Sequence, residues 1–375
     1  MKFSEVIGQE AAKHRVRDAI SANRLAHATL LVGPPGVGQL AFATAIAQYM
    51  NCLHPVNGDS CGKCSNCLKI SKGIHPDVNY ILPIISKTEG GKRWLTEDFF
   101  GGFRDEFFED PYFSYPQWQR TLGGENKQLF ISVHEIRALK RRIFLKAFEA
   151  PYKVVIVWNA ERINTEGANA FLKLLEEPPD RTLIIMTCSD PSQLLTTINS
   201  RCQRIPLRRI GTEEIAQYLV DKKGVEANKA AEMAGIAEGS IGNANEYLTD
   251  SSLAMSEAFA TWLRAIYTGQ YDKIQEAVEP IYKESKEFQK LFLQISIKKI
   301  RDSLLFHLGL ENMALSSEAE KAFQQKFSAF VDAHKVDRIS QELEQSYRDI
   351  TGNGNAKIVF TDMSIKSHRI LRGID

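Results

Sequence analysis

A chain of 375 residues, 43% hydrophobic and 25% charged, has the composition of a folded globular protein and enough length for two or three domains. Its 47 Lys and Arg against 46 Asp and Glu leave a formal net charge of +1, which argues against a protein that coats nucleic acid through its overall field. Any contact with DNA has to be local. Apolar runs such as Val154 to Trp158 fall far short of the roughly 20 residues that cross a bilayer, so no membrane association is expected. The opening residues, MKFSEVIGQE, lack the apolar core of a secretion signal, and the expected compartment is the cytoplasm.

Residues 1–206 alternate short β-like apolar runs with helical patterns. Ala28 to Val32 is such a run, and it leads into Gly33-Pro34-Pro35-Gly36-Val37-Gly38 and then the breaker-free stretch Leu40 to Met50, which reads as a helix. Val154 to Trp158 and Leu183 to Met186 are short enough for buried strands, with a helical stretch Glu166 to Glu177 between them closed by Pro178-Pro179. The alternation predicts an α/β domain, a parallel sheet covered by helices on both faces. From Ser86 to Gly124 the pattern gives way to mixed charge and aromatics, Trp94, Phe107, Tyr112 and Trp118 among them. It reads as a surface insertion, packed on the body or docking a partner.

After Gly211 the strand signals fade. Thr212 to Val220 and Ala227 to Ala234 predict a small helical unit ending near Asp250. The remainder is helical in pattern: Phe288, Leu291, Phe292 and Ile295 share one face, continued by Leu304, Leu305 and Leu308. Gly352-Asn353-Gly354-Asn355 predicts a turn before a last helix. The expected division is 1–206 for the α/β domain, 207–250 for a small helical domain and 251–375 for a helical bundle.

The turn at Gly33 has the glycine frame of a nucleotide-binding P-loop, in which backbone N–H groups wrap phosphate, a Lys reaches the outer oxygens and a Ser or Thr holds Mg²⁺. Gly33, Gly36 and Gly38 are present, but Gln39 stands where Lys belongs and Leu40 where the hydroxyl belongs. An ATPase of this layout would end the Val154 to Trp158 strand with carboxylates for the metal and the attacking water. Here Trp158 and Asn159 occupy that place, with Glu161 two positions on. Two independent losses predict a site that neither holds Mg-ATP tightly nor hydrolyses it.

Of the six cysteines, Cys52, Cys61, Cys64 and Cys67 cluster with spacing C-x8-C-x2-C-x2-C. Four thiolates at this spacing suit tetrahedral Zn²⁺, and a closed set leaves no open position for water, so the expected role is structural. His54 and His75 lie nearby and read as surface histidines.

Val6-Ile7-Gly8-Gln9, His27-Ala28, the cysteine cluster, Glu176-Glu177-Pro178-Pro179 and Ser200-Arg201-Cys202 follow the order of bacterial DNA polymerase III clamp-loader subunits. The chain resembles this AAA+ clamp-loader family, well over residues 1 to about 250 and weakly beyond, and within it the delta-prime branch rather than the gamma and tau ATPases. The resemblance implies an AAA+ type domain with a degenerate P-loop, a small helical lid and a helical collar. It also implies that Gly242 stands where active subunits carry an ATP-sensing Arg. Arg201 becomes an arginine finger supplied in trans to a neighbour's ATP. The implied partners are the gamma/tau and delta subunits, the sliding clamp, and primer–template DNA through the assembled complex. Two other readings are kept open. One is a gamma/tau-type ATPase with a divergent P-loop; the other is a zinc-containing nucleic-acid-binding module outside any ring. Arg204, Arg208 and Arg209 read as a solvated basic face.

Overall fold

The computed structural model describes residues 1–374 except 87, 90–91, 125–126, 249–250, 285 and 311–317. The chain forms two compact units, Met1–Glu214 with Gly239–Asn245, and Ile215–Glu238 with Glu246–Asp375. Segment 207–250 is therefore shared between them, and the expected boundary near Asp250 lies outside the described residues.

In chain order the first unit contains α1 (Glu10–Ser21), β1 (Ala28–Val32), α2 (Gln39–Met50), α3 (Ser65–Ser71), β2 (Val78–Ile81), a short hairpin of β3 (Thr88–Glu89) and β4 (Lys92–Arg93), α4 (Thr96–Glu109), α5 (Tyr115–Thr121), α6 (Val133–Ile143), β5 (Lys153–Val157), α7 (Thr165–Glu176), β6 (Thr182–Cys188), α8 (Thr196–Asn199) and β7 (Gln203–Pro206). Five strands form one parallel sheet in the order β2-β5-β6-β1-β7. All residues of β5 and β6 are buried, which is why they read as continuous Val/Ile runs rather than alternating ones. One face of the sheet packs Leu30, Val155, Ile184 and Met186 against Ile136, Leu139, Phe171 and Leu174 of α6 and α7. Each such side chain contributes roughly 1.5–3 kcal/mol by leaving water. Side-chain oxygens of Ser132 and Asn164 cap these two helices, fixing where each begins.

The Ser86 to Gly124 segment departs from the expectation of a surface insertion. It folds as α4 and α5 and supplies core: Phe103, Phe107 and Trp118 are almost wholly buried. Phe103 lies against Tyr80, Phe107, Phe113, Trp118 and Trp158, and Trp118 Nε1 donates to Pro83 O at 2.8 Å. The aromatics that broke the periodic pattern are thus the pattern of a second, aromatic core.

The second unit contains most of α9 (Thr212–Lys223), α10 (Ala227–Ile236), the last residues of α11 (Ile241–Leu248), α12 (Ser251–Thr268), α13 (Tyr271–Lys283), α14 (Lys286–His307), α15 (Glu318–Phe327), α16 (Ala333–Thr351) and α17 (Ala356–Arg372). Trp262, Phe292, Ile339, Leu343 and Phe360 form its core, and Trp262 Nε1 donates to Ser364 Oγ at 2.9 Å. Phe292, Leu291 and Ile295 are buried as the helical face predicts. Leu308 is not: it follows the end of α14 and is 59% exposed. Gly352 to Asn355 form the expected turn, with Asn355 Oδ1 capping α17. No helix among the described residues is long and apolar enough to cross a membrane.

Replacing Phe103 by Ala is expected to destabilise the chain by about 3–5 kcal/mol in urea unfolding, the cost of a fully buried aromatic. A loss below ~1 kcal/mol would contradict a core role for the segment.

Candidate functional site

β1 ends in the turn that sequence reasoning singled out. Gly36 and Gly38 have φ +75° and +90°, a region that costs a side-chain-bearing residue energy, and α2 starts at Gln39. Gln39 is buried and its side chain folds back over the loop, where Nε2 donates to Gly33 O and Pro34 O, both at 2.7 Å. Leu40 points into the core and is 5% exposed. Ser240 Oγ donates to Pro35 O at 2.9 Å, and Gly242 N donates to Gly36 O at 3.2 Å. The loop that would wrap a phosphate bonds its own chain.

At the end of β5, Trp158 is 6% exposed, its ring 5.0 Å from that of Phe113. Asn159 takes a left-handed φ of +53° and donates its N–H to Thr187 Oγ1 at 2.9 Å. Glu161 Oε1 accepts from Ser189 N at 3.1 Å.

Arg201 follows α8. Its Nε and Nη2 reach Glu176 Oε1 at 2.8 and 2.7 Å, and Nη1 donates to Thr197 O at 3.0 Å. Both partners of this ion pair are over a third exposed, so it is worth at most about 1 kcal/mol. Its hydrogen bonds go to Glu176, Thr197 and Ser200, not to the loop at Gly33–Gln39. His27 Nε2 donates to Leu175 O at 2.8 Å, joining the start of β1 to the end of α7 beside Glu176. Arg204, Arg208 and Arg209 are exposed.

Cys52, Cys61, Cys64 and Cys67 converge, all four sulfurs lying within 4.8 Å of one another. Cys61 and Cys67 Sγ are 3.9 Å apart, close to the roughly 3.8 Å that metal–sulfur bonds of about 2.3 Å impose in a tetrahedron. Cys61 N donates to Cys52 Sγ and Cys64 N to Cys61 Sγ. The Lys63 backbone N–H is the largest influence holding the Cys61 thiol down at about 6, whereas burial pushes Cys52 and Cys67 up. The four residues fit a metal ion. The amino-terminal segment braces this module, because Asp59 accepts from Phe3 N and Ser4 N, both at 2.9 Å.

His75 corrects the surface reading: it is 4% exposed, and its Nδ1 accepts from Asp77 N at 3.1 Å. Asp77 in turn accepts from Phe148 N, Glu149 N and Ala150 N at 2.7–2.9 Å. Lys153 Nζ caps the end of α6 through the carbonyls of Arg142, Ile143 and Leu145. The turn after α6 is thereby fixed while Phe144, Leu145 and Phe148 stand 65%, 70% and 83% exposed. Sequence reasoning passed over this cluster, although three large apolar residues in a Lys- and Arg-rich stretch are a signal. A separate cleft of about 310 Å³ is lined by Ile84, Trp94, Phe130, His134, Asn164 and Glu166; it does not include the loop, whose bonding chemistry makes the loop the better-defined site.

With this geometry in place, residues 8–211 match the family described as DNA polymerase III, delta subunit. The chain belongs to that family. The delta' subunit of Bacillus subtilis is 25% identical over 312 residues, covering 82% of this chain and 80% of that protein. The tau subunit of Bacillus subtilis is 23% identical over 389 residues, covering 97% of this chain and 61% of that protein. The chain spans less than two thirds of that tau subunit, and 32% of the tau/gamma subunit of Haemophilus influenzae. A DNA polymerase III gamma subunit-related protein of Thermotoga maritima aligns over 96% of this chain and 99% of its own at 16% identity and a TM-score of 0.35. The chain is a clamp-loader subunit of delta-prime type, with the expected α/β parallel-sheet domain followed by helices.

In this delta-prime-type subunit, burial pushes the Asp77 carboxyl up, but three backbone N–H donors outweigh it and the net lies below the ordinary carboxylate range. A depressed folded value means stabilisation that is present above the unfolded value and lost as pH falls through the folded one. Asp77→Asn is expected to cost about 1–3 kcal/mol at neutral pH in urea unfolding. The gap to the parent chain should narrow as pH drops below about 4; a gap independent of pH would contradict a charged acceptor.

Proposed function

We propose that this chain is a non-hydrolysing clamp-loader subunit that lends Arg201 to ATP bound on a neighbouring gamma/tau-type subunit, and so helps place a sliding clamp on primed DNA. The observation that carries the reading is the Gln39 amide, which spends both its donors on carbonyls of the loop where an ATPase Lys would reach a phosphate. Trp158 at the end of β5 supports it, since an indole in an aromatic cluster supplies no ligand for Mg²⁺. The partners in this reading are the gamma/tau and delta subunits, the clamp, and primer–template DNA through the assembly. Residues 207–250 serve as its lid segment and 251–375 as the collar. A gamma/tau-type ATPase would need Gln39 to leave its buried bonds and a carboxylate to replace Trp158, and nothing in the site favours that.

In the same reading the ion held by Cys52, Cys61, Cys64 and Cys67 is Zn²⁺. Four thiolates close the coordination shell, so the ion supplies folding energy and no reactive water.

Arg201 serves in this proposal because its guanidinium is permanently charged and planar, and its present partner is a weak, solvated carboxylate. In the reconstituted loader, Arg201→Ala is expected to lower DNA-stimulated ATP turnover by roughly 10³–10⁵-fold. Stability of the isolated chain should shift by under about 1 kcal/mol. Unchanged turnover in the complex rejects the finger.

Cys64→Ser is expected to leave purified protein with markedly less bound zinc by elemental analysis and to expose residues 50–75 to limited proteolysis. Full zinc content with unaltered proteolysis would refute the four-thiolate site.

A further inference from the structure

α3 is a helix with little of its own to hold it. It runs for seven residues, below the roughly 12–15 at which an isolated helix becomes even marginally stable. Its N-cap is Cys64, whose side chain makes no capping bond. It has instead two of the four converging thiols, Cys64 at its N-cap and Cys67 within it. With the four-thiolate site above as premise, we propose that metal bound there makes α3 a strut that positions the far half of the turn after α6, residues 148–152, and with it the exposed Phe148.

Two contacts carry the strut to the turn. Lys69 of α3 donates from Nζ to both carboxylate oxygens of Glu149, the residue after Phe148, with 2.7 Å to Oε1. Asn66, also in α3, donates from Nδ2 to Asn51 O at 2.9 Å. Asn51 in turn gives its whole side-chain amide to Tyr152: Oδ1 accepts from Tyr152 N at 3.0 Å, and Nδ2 donates to Tyr152 O at 3.1 Å. Asn51 and Asn66 are 0% and 2% exposed, so a partner lost there is not replaced by water unless the structure opens. Cys52 and Cys67 each adjoin one of these asparagines.

The rest of the turn is held from the sheet. Lys153 Nζ bonds the carbonyls of Arg142, Ile143 and Leu145. Asp77, which collects the N–H groups of Phe148, Glu149 and Ala150, accepts at its own O from Val154 N of β5 at 2.8 Å. Phe148, 83% exposed, stands between these anchors and the strut. His75, on the chain leaving α3, joins the two systems: its Nδ1 accepts from Asp77 N, and its Nε2 lies 3.8 Å from Glu149 Oε1. All of these residues belong to one compact unit. Metal loss melts the strut and loosens residues 148–152, while the strands keep their own ladders.

The test is hydrogen exchange by mass spectrometry on the full chain, zinc-loaded and then stripped with a chelator, with zinc content read by elemental analysis. Peptides covering 148–152 should exchange roughly fivefold faster without zinc, the scale of a partly exposed ion pair. Peptides of β6, where Ile184 N donates to His27 O at 2.7 Å, should keep their rate. Equal rates at 148–152 with and without metal overturn the strut and leave the four-thiolate site standing; a purified chain that holds no zinc overturns both. Acceleration across β6 as well overturns the strut, because the module then holds the whole domain and not the turn. Lys69→Ala changes a side chain that is 40% exposed, and it should keep its zinc and still speed exchange at 148–152 by up to about fivefold. Zinc retained at the parent rate of exchange overturns the proposal.

Discussion

Backbone N–H and C=O groups that are buried have to be bonded, and a strand-to-helix turn has more of them than its own ladder can satisfy. In an NTPase a phosphate accepts from the N–H groups of the turn after the first strand. Here the carbonyls of that turn are bonded by protein: the Gln39 amide takes those of Gly33 and Pro34, and Ser240 and Gly242 take those of Pro35 and Gly36. A neutral amide with two donors suits two carbonyls, whereas an ammonium in that buried place would need a charge to face.

The same economy appears at the other end of the sheet. Lys153 opens β5 and spends its ammonium on the last carbonyls of α6, which the helix dipole makes electronegative. Asp77, just ahead of β2, takes three N–H groups of the following turn. One cation and one anion, each placed by a neighbouring pair of parallel strands, pin the turn between α6 and β5 from both sides. Three large apolar side chains can then stand in water without the turn collapsing over them.

Much of this was legible in the sequence, and what was not has physical reasons. Val154 to Val157 and Leu183 to Met186 announced buried parallel strands because burial on both faces removes alternation. The four cysteines converge as their spacing predicted. Phe103 and Trp118 hid because a core built of ring edges and faces has neither the period of a strand nor that of a helix. His75 read as a surface residue because its neighbours, Asp77 at Nδ1 and Glu149 at Nε2, include one far along the chain. Tyr112 was one aromatic among many, and its place on Gly38 depends on a pairing far apart in the chain. Long-range contacts made by single residues leave no local trace.

The pairing of Arg201 with Glu176 looks at first like evidence that the guanidinium is already employed. Its geometry argues the reverse. Nε and Nη2 converge on one carboxylate oxygen, Oε1, so the fork is not matched by two acceptors, and both side chains face water. A triphosphate offers more charge and paired oxygens in the planar spacing a guanidinium fits, which is the chemistry the proposed role would use. Arg201 meanwhile also folds back on α8, where its Nη1 donates to Thr197 O. The end of α7 that carries Glu176 is itself tied through Leu175 to His27 at the root of β1. The strand that leads into the loop at Gly33–Gln39 therefore also braces the residue that pairs with Arg201.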